Sequence, residues 1–153
     1  MKQLFGIVLG ITICAAACKK KDSGNTLPEN SWRFNDTVYA ITKTNYSKTS
    51  DTANYFNIES STAGSRYGKL IFSFRSYPAA GSYKIVSGAP TDDQTVKIDV
   101  QAGNAYYSAT SDGARLGVNI SGGYVQLVAN GIVVQNNNNP ADQTYIDVNA
   151  FFN

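Results

Sequence analysis

The sequence predicts an all-β domain behind a short N-terminal leader. Three observations carry that prediction. After residue 22 no apolar run follows the 3.6-residue period of a helix. Thr, Ser, Tyr, Val and Ile dominate instead, and such side chains suit a pleated, half-buried surface. Short alternating runs recur with Gly, Asn and Pro between them. About nine or ten strands at this spacing predict an antiparallel two-sheet β-sandwich. A closed β-barrel is the alternative, because no proline or lysine cluster marks an edge strand.

The strands follow in order. Ser31 to Phe34 and Thr37 to Ile41 flank Asn35-Asp36, a two-residue hairpin turn. Trp32 and Phe34 share one face of the first, Tyr39 and Ile41 one face of the second. Residues 43–54 are polar and read as a strand end followed by a loop. Tyr55 to Ser60 is the next strand. Gly68 to Ser76 sets Leu70, Phe72 and Phe74 against Lys69, Ile71, Ser73 and Arg75. Ser82 to Ser87 follows, with Tyr83 and Ile85 on one face.

Thr95 to Gln101 has the cleanest period-2 pattern, Val96, Ile98 and Val100 against Lys97, Asp99 and Gln101. That is a strand with one buried and one wet face. Ala105 to Thr110 and Ala114 to Ser121 come next, the second ending in the hairpin signal Gly122-Gly123. Tyr124 to Gln135 reads as one strand interrupted at Asn130-Gly131, either by a bulge or by a full turn. After the loop NNNNPAD, Thr144 to Phe152 closes the chain with Ile146, Val148, Ala150 and Phe152 on one face.

The leader is a different kind of sequence. Lys2 supplies a positive start, Leu4 to Ile13 an apolar core, and small residues follow up to position 17. This is the layout of a helical secretory signal peptide. The apolar run falls short of the roughly 20 residues that cross a bilayer. Ala15-Ala16-Ala17-Cys18 resembles the lipobox of bacterial lipoproteins, which implies cleavage before Cys18 and acylation of its thiol. Cys14 is the poorer acceptor because branched Ile13 precedes it. The domain organisation is then residues 1–17 signal peptide, 18–29 polar tether and 30–153 one β domain.

Charge separates the same parts. Of 13 Lys and Arg, four (Lys2, Lys19, Lys20, Lys21) precede residue 30, leaving nine in the domain. Of 11 Asp and Glu, two (Asp22, Glu29) precede it, again leaving nine. The domain is formally neutral and its basic residues are scattered, so no nucleic-acid partner is expected. The only other cysteine lies in the leader, so no disulfide is expected.

Chemistry finds few footholds. Histidine is absent, which removes the commonest general base and metal ligand. Gly64 to Lys69 imitates a phosphate loop but is one residue short and precedes a strand. Asp92-Asp93 and the loop Asn136 to Asp142 offer oxygens for calcium without a recognisable ligand spacing. No acid–base carboxylate pair can be named, so a hydrolase is the least supported reading. No catalytic, metal or cofactor site is assigned, and no cofactor is expected. The enrichment that remains is aromatic. Ten tyrosines and one tryptophan could stack on sugars, with Tyr106 and Tyr107 the candidate platform because adjacent strand residues point to opposite faces. Asp36-Thr37-Val38 and Asp51-Thr52-Ala53 resemble an O-glycosylation acceptor of Bacteroidota, which would make Thr37 and Thr52 modification sites.

The order of elements resembles small β lipoproteins of the Bacteroidota cell envelope. The residues that carry it are Trp32 to Tyr39, Leu70 to Phe74 with Gly81-Ser82-Tyr83, Gly103 to Tyr107, Ile120 to Gly123, and Val148 to Phe152. Asp36 stands where that group has a glycine. The resemblance implies attachment to the outer membrane through acylated Cys18, and no established activity. Together these readings predict a non-enzymatic module that binds or presents something at the cell envelope, its ligand unidentified and a glycan one candidate. An accessory lipoprotein docked on an envelope protein complex is the alternative.

Overall fold

A computed structural model describes residues 27–62 and 66–153. The signal peptide, Cys18 and most of the tether lie outside the described residues, as does the start of the phosphate-loop look-alike. Ten strands form: β1 (Ser31–Phe34), β2 (Thr37–Ser50), β3 (Ala53–Ser61), β4 (Tyr67–Phe74), β5 (Gly81–Ile85), β6 (Thr95–Ala102), β7 (Ala105–Ala109), β8 (Arg115–Ser121), β9 (Tyr124–Asn136) and β10 (Gln143–Phe152). The described residues contain no helix.

Of the two architectures the sequence allows, the chain takes the closed barrel. The two-sheet sandwich does not form because β10 has partners on both sides, β1 through Ser31↔Asn149 to Phe34↔Ile146 and β9 along nearly its whole length. Nine strands complete the ring in the order β10, β1, β2, β3, β4, β6, β5, β8, β9. β7 bridges the wall where β5 and β8 do not reach, pairing Asp99 to Ala102 of β6 and Val134 to Asn136 of β9. The ladder is antiparallel except between β5 and β6. There the connection after Ile85 carries the chain back, so Lys84↔Thr95 and Ile85↔Val96 pair in parallel. The Asn130-Gly131 interruption is a bulge. The register of β9 against β10 slips between Ile146 and Val148, and the Gly131 N–H (φ 65°) donates to Asp147 Oδ1 at 2.7 Å.

Alternation places apolar side chains inside and polar ones outside, the reverse of a membrane-spanning barrel. The interior is filled at both ends by rings. At the far end, where the Asn35-Asp36 turn, the Gly103-Asn104 turn and the loop after β9 lie, Trp32 and Tyr39 stack at 4.4 Å. Gly68 lies directly under that stack: a Cβ there would be 2.6 Å from Trp32 Cζ2 and 2.8 Å from Tyr39 Cδ1. The Trp32 indole N–H donates to Ser60 Oγ at 2.8 Å, so the buried ring keeps its polar atom satisfied.

At the entry end, where the described chain begins, Phe56 touches Tyr46, Phe74, Tyr77 and Phe152 at centroid distances of 5.0–5.7 Å. The loop after β4 folds over this cluster. The Tyr83 hydroxyl clasps it by accepting from the Ala79 N–H at 2.8 Å and donating to the Ala79 carbonyl at 2.9 Å.

Candidate functional site

The outer wall of β2, β3, β4, β6 and β7 carries two adjoining concavities. One, of about 460 Å3, runs over β4, β6 and β7; the other, of about 520 Å3, runs over β2, β3, β4 and β6. Ile71, Lys97 and Asp99 line both. Strand register explains why these residues meet. Cross-strand partners point to the same side of a sheet, so outward residues form rows around the barrel. One row is Glu59, Lys69, Gln101 and Tyr106; the next is Asn57, Ile71, Asp99 and Ser108; a third is Tyr55, Ser73 and Lys97. The wall therefore presents an apolar centre at Ile71, amides at Asn57 and Gln101, and tyrosines at its margins.

Lys97 and Asp99 match each other at the centre of the wall. Lys97 Nζ lies 2.8 Å from Asp99 Oδ2, and Ser108 Oγ donates to Asp99 Oδ1 at 2.8 Å. Tyr67 and Tyr106, 43% and 51% exposed, stand at the far-end margin. The Tyr67 hydroxyl is held above its ordinary pKa, first by partial burial and then by Glu59 and Tyr106 nearby. It stays a neutral donor through the physiological range.

Tyr106 and Tyr107 separate as their alternation requires. Tyr106 faces out onto the wall. Tyr107, 8% exposed, turns into the barrel, where its ring meets Phe34 edge-on at 4.9 Å. Its hydroxyl donates to Asp142 Oδ2 at 3.0 Å, beside the Asn136 side-chain amide at 2.9 Å from the same oxygen. Burial, then the Asp142 hydrogen bond, pushes the Tyr107 pKa up. The platform is thus Tyr106 with Tyr67, and Tyr107 anchors the loop behind it.

Thr52 lies exposed in the turn between β2 and β3, beside Ser50 and the Lys48–Asp51 ion pair (2.7 Å). Thr37 is half-buried at the start of β2. The two loops with calcium-like composition use their oxygens in hydrogen bonds to the protein itself. Asp92 Oδ1 accepts from the Gln94 N–H, Asp93 Oδ1 from Ser76, and the Asn136 to Asp142 loop closes around Asp142. Among the described residues no group of three acidic or sulfur ligands could hold a metal ion. Tyr55 and Gln101 belong to the wall although composition alone does not single them out; their period-2 spacing with Asn57 and Asp99 is the signal that finds them.

No family model, no curated protein and no solved structure matches the chain.

Proposed function

We propose that this chain is a lipid-anchored outer-membrane protein, held through acylated Cys18, whose barrel is a non-enzymatic binding module for a glycan. The observation that carries the reading is the outer wall, where exposed Tyr67 and Tyr106 stand beside Gln101, Lys69 and Glu59 on adjacent rigid strands. Tyrosine faces suit the C–H faces of sugars, amides suit their hydroxyls, and strands hold both at fixed spacing. Three partly buried or paired carboxylates are engaged by partners within the fold. Asp99 binds Lys97 and Ser108, Asp142 binds Tyr107 and Asn136, and Asp147 binds Arg33 and the Gly131 N–H. That favours binding over hydrolysis.

The test is a glycan array probed with the wild type and the Tyr67→Ala/Tyr106→Ala variant. Binding lost in the variant supports the reading; binding unchanged overturns it. Intact mass of protein from its native host reads the acyl group on Cys18 and any sugar on Thr52 or Thr37.

One feature favours the second reading, an accessory lipoprotein docked on an envelope complex. β1 pairs with β2 only as far as Ala40, so no described strand covers that edge of β2 from Thr42 to Ser50. An extended partner segment could add there, and Lys43 and Lys48 on the same stretch discourage self-pairing. Crosslinking in native membranes that captures a partner through this edge, with no array signal, would favour docking over glycan binding.

A further inference from the structure

The described chain enters the barrel at one of its two ends, and that end is the nearer to Cys18 along the sequence. Leu27, the first described residue, is nine residues after Cys18. Nine residues, whatever their conformation, reach no further than about 30 Å. The chain then enters the barrel at one end. Asn30 Oδ1 accepts from the Phe151 N–H at 3.2 Å and the Asn30 carbonyl accepts from the Ile41 N–H at 3.0 Å, which fixes the entry point beside the last residues of β10. The rim of that end carries Tyr46, Tyr77, Ile120 and Tyr124, each between 37% and 52% exposed; the far end exposes Val38, Tyr67, Tyr106 and Tyr145 to a similar degree, so it is the chain's entry point that selects between the two.

These four belong to one end of the barrel. Ile120 pairs with Val125, Val125 with Phe152, and Phe152 touches Phe56, on which Tyr46 and Tyr77 rest. Tyr124 pairs with Ser121 at the tip of the same hairpin, beyond Gly122-Gly123. Tyrosine is the side chain that settles at a membrane–water boundary, ring toward the acyl chains and hydroxyl toward water.

From the tether length and this rim we infer that the entry end of the barrel docks on the lipid interface of the membrane that holds Cys18, resting on the anchor reading above. Ile120 and the tyrosine rings dip into the headgroup layer. The far end, with Tyr67 and Tyr106, then points away from the membrane and stays open to ligand. The barrel stops being a freely tumbling ball on a leash and takes one orientation.

The experiment reconstitutes the full acylated protein into nanodiscs carrying a gadolinium-chelating headgroup lipid and reads relaxation enhancement at backbone amides. Eight-residue β4 spans roughly 26 Å, enough to separate the two ends by a steeply distance-dependent probe. The expected result is several-fold stronger enhancement at Gly122, Gly123 and Tyr77 than at Gly103 and Asn139, with the difference reduced in Ile120→Ser/Tyr124→Ser. Both of those side chains lie on the rim, so the variant's amide spectrum should keep the wild-type fold; if it does not, Tyr124→Ser alone is read in the same way. Equal enhancement at both ends, or a gradient the rim variants leave intact, overturns the docking while leaving the anchor standing. Intact mass showing Cys18 unacylated overturns the anchor reading and the docking with it.

Discussion

The far end and the entry end of the barrel are both closed by aromatic rings, but by different physics. At the far end the rings are tied by directed polar bonds. Trp32 donates to Ser60, Tyr107 to Asp142, and Gly68 lets the Trp32–Tyr39 stack lie against bare backbone. At the entry end rings pack mainly on rings, with the Tyr83 hydroxyl tied to Ala79 and the Tyr46 hydroxyl to Asn54 Oδ1 at the margins. Six of them (Tyr46, Phe56, Phe74, Tyr77, Tyr83, Phe152) form one connected cluster with edge-on and tilted contacts. A hydrogen-bonded closure tolerates little change in shape. A ring-packed closure depends on volume, and its outermost rings remain partly exposed. Both ends keep exposed rings, so the contrast lies in how each closure is held rather than in how apolar its surface is.

The contrast can be broken most severely at the entry end. Phe56 is fully buried and touches four other rings, so Phe56→Ala removes the hub of the cluster. A loss of about 3–5 kcal/mol is expected, read from urea unfolding with an unchanged m-value. The far end is tested by the opposite operation. Gly68→Ala adds one methyl where Trp32 and Tyr39 already stand closer than 3 Å to the new atom. Overpacking of this kind costs roughly 1–3 kcal/mol. Its near-ultraviolet circular dichroism should change as the Trp32 environment shifts, which Phe56→Ala should not cause to the same degree.

Alkaline pH sharpens the comparison further. Tyr107 and Tyr83, one at each end, both have pKa values raised above the ordinary 10.0, in each case chiefly by burial. A raised folded pKa means the folded state holds the proton more tightly than the unfolded chain. Their contribution is therefore complete below about pH 10, the unfolded value, and is lost as pH climbs through the folded values. The melting temperature should fall above that pH. Asp142→Asn keeps an oxygen acceptor for Tyr107 but removes the negative charge that opposes its ionisation. The alkaline fall should become shallower in that variant, while Tyr83 continues to titrate. An alkaline limb identical in the two proteins would show that Asp142 does not tune Tyr107.

Much of the strand content can be read from the residues because half-buried strands announce themselves by alternation. β6 and β10 are the clearest, with Val96, Ile98, Val100 and Ile146, Val148, Ala150, Phe152 all inside. Three features resist such reading for physical reasons. β2 continues to Ser50 although residues 42–50 show no apolar period, because β3 alone pairs with that half and its surroundings are open on the other side. The Asn130-Gly131 pair carries signals for both a turn and a bulge, and Asp147 on β10 decides between them by accepting the Gly131 N–H. Barrel closure itself is a long-range event, the meeting of β1 with β10, which a four-residue strand and the Arg33–Asp147 pair at 3.1 Å secure. Leader readings, Cys18 above all, rest on sequence alone.

The wall was legible only in part, for a related reason. β7 is five residues long and has rings at two adjacent positions, so its own pattern does not say which ring is inside. Pairing with β6 sets the phase, since Tyr107 lies opposite buried Val100 and Tyr106 opposite outward Gln101. The smallest expected effect follows from this. Tyr106→Ala removes a ring from the surface, and the Tyr106 carbonyl that accepts from the Asn137 N–H is retained. Stability should change by no more than about 0.5 kcal/mol. The same truncation one residue on, Tyr107→Ala, empties a buried site against Phe34 and leaves Asp142 without its hydroxyl partner, a loss on the order of 3 kcal/mol. Measured side by side, the pair separates binding from folding: Tyr106→Ala should abolish the glycan-array signal at near-wild-type stability. Should Tyr106→Ala destabilise the barrel as much as Tyr107→Ala does, Tyr106 is a folding residue and the wall loses its platform.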